Sequence, residues 1–426
     1  MSIKVRMRFA GRAHDTDRET GAAMAPHAVI VGGGVAGLTA AYELRRRLGR
    51  RAAITVVSSS DRFLLWLGVP WIPFGHRLGR ITFSIPRALE RQGIAFRQGH
   101  VHTLLPHQHL IPLPDGHLHY DYLLIATGPR YSGLAFTGFS DHRTVSGPLW
   151  SEPAATQANQ TLTRFLNHPG TVVVGAAHDA THLHAGYEFI LALDHALRRR
   201  ALRSRATITF VTPEPYLGYA GTGVPAARRI LERLFAERRI TVLTESIIEG
   251  VNRDGVLIRA TRERGCRQVP ATYLAVLPPA DGGAGCWRLP ELTDGHGLVP
   301  VDAQYRHAQF PGIFAAGEVA RAPAAEVPFT GGLPRTGFLA TAMARRAARN
   351  LAAELLGKTP ARRTLPRLLD LRILDGGDTG LLLVTAQVAR PIQLALPLPG
   401  RLAHHGKLLL ARYLIWKLRT GRTYLP

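Results

Sequence analysis

The stretch His27-Ala-Val-Ile-Val-Gly32-Gly-Gly34-Val-Ala-Gly37-Leu-Thr-Ala-Ala-Tyr-Glu-Leu decides the fold. Its apolar residues 28–31 read as a buried strand, and the segment after the glycines reads as a helix running to about Leu48. In such a strand–turn–helix unit Gly32 permits the tight turn, Gly34 lets the backbone approach a pyrophosphate, and Gly37 lets the helix close on the strand. The helix N-terminus adds free N–H groups and the positive end of the peptide dipole. A GxGxxG spacing means little alone, but in this context it points to dinucleotide binding.

Working outward, the next strand (residues 53–57) ends in Ser58-Ser59-Ser60-Asp61, where such folds commonly place an acid for the adenosine ribose. Ser58 can still hydrogen-bond a ribose hydroxyl. Leu110-Ile-Pro-Leu-Pro-Asp-Gly reads as a β-hairpin arm leading into Tyr120-Asp121-Tyr-Leu-Leu-Ile-Ala126-Thr127-Gly128-Pro129. Gly312-Ile-Phe-Ala-Ala-Gly317-Glu318 then supplies a short buried strand, a glycine and a carboxylate suited to accept hydrogen bonds from a ribityl chain. The three separated elements together specify FAD better than NAD.

Between them, Thr171-Val-Val-Val-Gly175-Ala-Ala177-His-Asp-Ala180 opens a second α/β unit, with a helix to about Arg200 and a strand over residues 206–211. Two glycines of the fingerprint have become Ala177 and Ala180. An added methyl obstructs the backbone's approach to a pyrophosphate, so this unit is expected to keep the fold and lose NAD(P). The fold class is therefore α/β, with two Rossmann-like three-layer units and a C-terminal amphipathic helical segment. The expected partition is 1–26 leader, 27–150 and 301–358 FAD-binding domain, 151–300 second domain, and 359–426 interface segment. The leader carries no apolar signal-peptide core and reads as disordered.

The chain has 426 residues, 46% of them hydrophobic, with a formal net charge of +23. That apolar content excludes a disordered chain and supplies a large core. Two cysteines, Cys266 and Cys286, exclude a disulfide framework, and no metal site is expected. The basic excess is nearly all arginine, since lysine occurs only at positions 4, 358, 407 and 417. Such charge favours anionic partners; without a recognition helix, zinc knuckle or RNP-like aromatics, nucleic acid is not expected.

In order along the chain stand Ser60-Asp61-Arg-Phe63, Val69-Pro70-Trp71, Ala126-Thr127-Gly128-Pro129, Tyr187-Glu188-Phe189, Thr212-Pro213-Glu214-Pro215-Tyr216-Leu-Gly218, Leu333-Pro334-Arg335-Thr336-Gly337-Phe338 and Tyr413-Leu-Ile-Trp416-Lys-Leu-Arg. From residue 28 to its end this order resembles the sulfide:quinone oxidoreductase family. The resemblance implies FAD in the first domain, held by Gly32, Gly34, Gly37, Gly128, Gly317 and Glu318, and electrons passing to a membrane quinone. It also implies that Thr336 and Gly337 begin a helix whose positive end faces the flavin, where it stabilises the anionic reduced form. Arg335 takes the place of a family lysine beside the flavin and keeps its charge.

The family's sulfide chemistry uses cysteine thiolates, which no neutral side chain replaces. Here Trp150, His182 and Val319 fall at the three corresponding places. Cys266, among basic neighbours that favour a thiolate, and Cys286, in a glycine-rich loop, lie elsewhere. His182, grouped with His178 and His184 near a helix start, is a candidate proton donor or acceptor beside the flavin. Glu188 is a candidate for proton delivery near the quinone, or a buried structural carboxylate.

From residue 358 to the end there are twelve Lys and Arg against three acids (Asp370, Asp375, Asp378). A helix over residues 407–419 carries Leu410, Ala411, Leu414, Ile415 and Leu418 on one arc and Leu409, Tyr413 and Trp416 on the other, bordered by Arg412, Arg419 and Lys417. Two apolar faces suit a helix packed on its domain and dipped into an anionic lipid interface, or one buried between two copies in a homo-oligomer. The expected protein is a peripheral membrane flavoenzyme, of a bacterial inner membrane, with a small electron donor. The alternatives are a type II NADH:quinone dehydrogenase-like enzyme and a catalytically degenerate flavin-binding sensor or partner.

Overall fold

The structure is a computed structural model and describes residues 25–131, 145–146, 152–219, 225–252, 255–262, 265–321, 336–360, 369–386 and 392–425. The leader over 1–24, Trp150 and Arg335 lie outside them.

Four parallel strand pairings join Ile313–Ala315, Tyr122–Ile125, His27–Val31, Ala53–Ser58 and Ala95–Gln98, in that order, into one sheet. The chain runs outward from the central strand to one edge and returns to the other side of it. The strand order therefore reverses at His27–Val31, and the crevice beyond the carboxyl ends there is where such sheets bind ligands. Val31 pairs with both Val57 and Ile125, so three strands end level around the glycine turn. Strand residues 28–31 are nearly fully buried, as the unbroken apolar run requires of a doubly covered parallel strand.

A second parallel sheet orders Val145–Ser146, Tyr273–Leu277, Thr171–Ala176, Thr207–Val211 and Ile240–Leu243. The helix of this unit, expected to end about Arg200, spans His184–Arg199. It packs its apolar face on this sheet through Phe189, Ile190 and Leu193.

The helices Val35–Leu48 and Gly337–Leu355 lie against each other across the first sheet. Alanines on both (Ala40, Ala41, Ala344, Ala347, Ala348) bring the backbones close. Glu43, nearly fully buried, is clamped there by Arg46 at 2.8 Å, Arg47 at 2.7 Å and Arg349 at 3.0 Å. Burial pushes its carboxyl up, but the three arginines outweigh that and hold it at about 2.

The C-terminal segment departs from expectation. It contains an antiparallel sheet of Leu369–Asp375, Thr379–Ala386 and Ile392–Pro399 before the final helix, which runs over Gly400–Thr420 rather than residues 407–419. Leu369, Leu371 and Ile373 alternate with Asp370, Arg372 and Leu374 in the first of these strands, the period of two that a strand shows. Ala411 and Leu418 of the last helix enter the first core, while Leu402 and Leu409 stay 63% and 62% exposed. Lys417, expected at the basic border, is buried, and burial lowers its amine to about 8. Among the described residues no helix is long and apolar enough to cross a membrane.

Candidate active site

At the head of the first sheet a Cβ on Gly32, whose φ is +125°, would stand 2.1 Å from the Ala126 carbonyl oxygen. A Cβ on Gly37 would stand 1.9 Å from the Gly32 carbonyl oxygen. Both positions are closed to any side chain by backbone, which is why the turn and the helix meet so tightly. Gly34, the N-cap of the helix, faces open space and leaves a bare backbone at the helix's positive end. No acid and no side-chain cap occupy that end. This is a cradle shaped for an anion.

Three strand ends bring further groups to the same crevice. Ser58 closes its strand beside Gly33, Thr127 and Gly128 follow Tyr122–Ile125, and Gly317 and Glu318 follow Ile313–Ala315. Thr127 Oγ1 and Glu318 Oε2 are buried with no hydrogen-bond partner among the described residues. Buried polar groups are normally satisfied, so a hydroxyl and a carboxylate oxygen orphaned at one crevice fit a polar ligand between them. Thr336 caps the helix Gly337–Leu355, its hydroxyl accepting from Leu339 N–H at 3.2 Å. These residues fit FAD: bare backbone for the pyrophosphate, hydroxyls and a carboxylate for the sugar and ribityl oxygens.

The second unit reaches this crevice through His182. Its Nε2 lies 3.2 Å from Glu318 Oε1, and Thr181 Oγ1 lies 2.9 Å from its Nδ1. A hydroxyl donating to Nδ1 leaves the proton on Nε2, which donates to the carboxylate. His182 and Asp179 both adopt left-handed backbone, at φ +59° and +54°, so this loop is held in a strained form by its surroundings. Tyr131 lies 6.4 Å from the His182 ring and 5.7 Å from Trp66. The three histidines do not converge: His178 is exposed and pairs with Asp179 at 2.7 Å, while burial lowers His184 well below its usual range.

The same loop ties up the backbone at the two alanines that stand in the second unit's glycine positions. Ala177 N–H donates to Leu277, Ala180 N–H donates to Ala177, and bridges tie Ala177 to Ile248 and Ala180 to Pro279. The amides that would cradle a phosphate are spent inside the protein, and the helix begins only at His184. The N–H groups of Ala177 and Ala180 are thus both hydrogen-bonded within the protein.

On the opposite face of the helix His184–Arg199 lies Glu188, buried and ion-paired to Lys407 of the last helix. Lys407 Nζ sits 5.2 Å from the Trp71 ring. Burial drives the Glu188 carboxyl up, Lys407 draws it partly back, and it stands at about 7. Next to it Tyr187 donates to the buried Glu214, which also accepts from Thr212 Oγ1 at 2.9 Å. The Thr212–Gly218 turn thus anchors the helix that carries Glu188. Lys407, given no role beyond opening the expected helix over 407–419, is the residue that sequence reasoning missed. Its one available signal was rarity, as one of four lysines in an arginine-rich chain.

Val319 is fully buried behind Glu318. Cys266 opens the strand Cys266–Val269, exposed, and donates to Glu249 at 3.0 Å, which pushes its thiol up. The thiolate favoured by its basic neighbours is thereby corrected: the nearer carboxylate outweighs Arg259. The Cys286 side chain lies outside the described residues. Among the described residues no three His, Cys, Asp or Glu are placed to hold a metal ion.

Two parallel-sheet units, a glycine cradle at a switch point and a C-terminal sheet-and-helix define a two-unit flavoprotein reductase. The chain belongs to the pyridine nucleotide-disulphide oxidoreductase family, whose model matches residues 26–345. It is 29% identical to the sulfide-quinone reductase of Aquifex aeolicus over 93% of this chain and 92% of that one. The crystal structure of the Aquifex aeolicus sulfide:quinone oxidoreductase superposes with a TM-score of 0.83 at 27% identity, covering 93% and 92% of the two chains. NDH2 from Plasmodium falciparum shares the fold, with a TM-score of 0.70 at 13% identity over 93% and 96%. The chain is an FAD-dependent oxidoreductase similar to sulfide:quinone reductase.

Proposed function

We propose that this flavoenzyme passes electrons from a small donor through FAD to a membrane quinone, and that the buried Glu188–Lys407 pair serves the quinone's protonation. The pair carries this reading. A carboxyl that burial raises to about 7, ion-paired to a lysine of another helix, can hold and release a proton near neutral pH. FAD, when bound, supplies the two-electron link between donor and acceptor.

In this reading Gly32, Gly34 and Gly37 bind the pyrophosphate, Ser58 the adenosine ribose, and Thr127, Gly128, Gly317 and Glu318 the remaining sugar and ribityl oxygens. Thr336 and Gly337 point the positive helix end at the ring, with Arg335 beside it. His182 holds a proton on Nε2 against Glu318 and exchanges it at the donor's side. Glu188 gives up a proton to the acceptor and Lys407 orients the acceptor's oxygen. Leu394 and Leu396 (each 41% exposed), with Leu402 and Leu409, form an apolar edge among basic residues that suits an anionic lipid surface and makes the protein peripheral.

The donor is sulfide or another small reductant. With Trp150, His182 and Val319 at the family's cysteine places, oxidation by a cysteine relay is not expected. Anaerobic bleaching of the flavin by sulfide, other sulfur compounds and NADH, each alone, followed by reoxidation with a quinone analogue, tests the reading. Fast bleaching by a small donor and reoxidation by quinone are expected; bleaching by NADH alone would favour the type II dehydrogenase alternative. A retained flavin that no donor reduces would favour the sensor reading.

A further inference from the structure

The Glu188–Lys407 pair is sealed from water, its side chains being 3% and 2% exposed, so a proton given to an acceptor must be replaced from outside. His404 stands three residues before Lys407 on the helix Gly400–Thr420, and i, i+3 residues share a helix face. Its Nδ1 lies 2.7 Å from Oδ2 of Asp375, a carboxylate only 3% exposed, while the imidazole itself is 30% exposed. Asp375 Oδ1 is fixed by Gly377 N–H at 3.0 Å. The indole of Trp71 touches both ends of this line, 6.3 Å from the His404 ring and 5.2 Å from Lys407 Nζ. His76, whose ring is 5.6 Å from that of His404, flanks the entrance.

We propose that His404 and Asp375 form a proton entrance that recharges the Glu188–Lys407 pair. This rests on the reading of that pair as the acceptor's proton source. The acceptor gains two electrons from the reduced flavin and two protons in all. One of these protons comes with the electrons from the reduced flavin and the other leaves Glu188, so the pair is left one proton short. His404 takes a proton from bulk water on Nε2 and passes its Nδ1 proton to Asp375 Oδ2, which restores neutral His404, and Asp375 hands that proton on to the pair and returns to the carboxylate. No other oxidant or reductant is needed. The charged groups facing this line are His76 and Arg80 beyond the segment Trp66–Phe74, Arg372 on the strand Leu369–Asp375, His405 on the last helix, and His184 on the helix of Glu188. The negative charge of Asp375 is felt both at His76 and at Glu188, which electrically connects the entrance to the pair.

The test uses the FAD-loaded protein, photoreduced anaerobically and mixed with a soluble quinone from about pH 6 to about pH 9, so that the natural donor is not needed. His404→Gln is expected to slow flavin reoxidation about tenfold at the alkaline end and little at the acid end, with partial rescue by added imidazole. Asp375→Asn is expected to slow it by a smaller factor with the same pH trend. Separately, NMR of ring-labelled histidines, assigned with the His404→Gln variant, should show the His404 titration midpoint moving by about half a pH unit in Glu188→Gln. Reoxidation at the wild-type rate over the whole range would overturn the proposal. So would a uniform loss at every pH without imidazole rescue, or an unmoved His404 midpoint. A wild-type flavin that quinone never reoxidises would instead remove the underlying reading of the pair.

Discussion

Glu188 and Lys407 show how much one buried pair can be asked to do. Two charges taken from water stabilise little in net terms, but removing one partner leaves the other unpaired, which costs about 3–5 kcal/mol. Lys407→Met is therefore expected to lower thermal stability strongly, and Glu188→Gln/Lys407→Met to recover much of the loss, as a double-mutant cycle by calorimetry would read. Glu188 itself should be followed by infrared difference spectroscopy. A protonated-carboxyl band that grows as the pH falls through about 7 and vanishes in Glu188→Gln is the expected result. In the proposed reading His182 takes the place of a family thiolate. A histidine at a thiolate's place can move protons but cannot form a bond to sulfur of the same kind.

At the scale of elements, the glycine turn makes a sharp contrast between neighbours. Gly37→Ala places a methyl on backbone and is expected to destabilise the protein by about 3 kcal/mol even without cofactor. Gly34→Ala meets no atom within 4 Å, so the protein should fold with near-normal stability and bind FAD more weakly. Melting of the flavin-free proteins and FAD titration by fluorescence separate the two. The paired helices Val35–Leu48 and Gly337–Leu355 make a prediction about pH. Glu43 is held at about 2, below its ordinary value of 4.5, so its stabilisation is complete above 4.5 and is lost as the pH falls toward 2. That contribution is about 3 kcal/mol, and Glu43→Gln should remove it together with the acid dependence in that window.

For the whole molecule, the last helix ties the chain together: Ala411 and Leu418 lie in the first core, while Lys407 reaches the helix of the second unit. Truncation near Arg401 would therefore strand Glu188 and unfold more than a membrane edge, which makes it a poor test of lipid binding. Leu402→Glu with Leu409→Glu alters only exposed positions. This variant is expected to keep its flavin and its stability and to lose sedimentation with vesicles containing anionic lipid. Sedimentation equal to wild type would remove the lipid reading. Much of the +23 charge lies elsewhere, and part of it is structural. Asp194 alone takes Arg198 at 2.7 Å, Arg203 at 2.5 Å and Arg238 at 2.7 Å.

The sequence by itself determined what local rules control. A strand of four apolar residues, a glycine turn and a helix are contiguous, so residues 28–48 declared the first unit, and Ala177 with Ala180 declared the altered second one. The Thr127, Gly128 and Glu318 segments were legible because each combines a buried strand with a chemically distinctive end. The tertiary structure alone decided which distant groups meet. Lys407 stands 219 residues from Glu188, and His182 stands 136 from Glu318. On a helix wheel Lys407 looks solvated, as its stem and charge suggest. Only the packing of the C-terminal sheet beneath the last helix turns that face inward and seals it against Trp71, where burial, a property of the assembled core, tunes the carboxyl toward neutral pH.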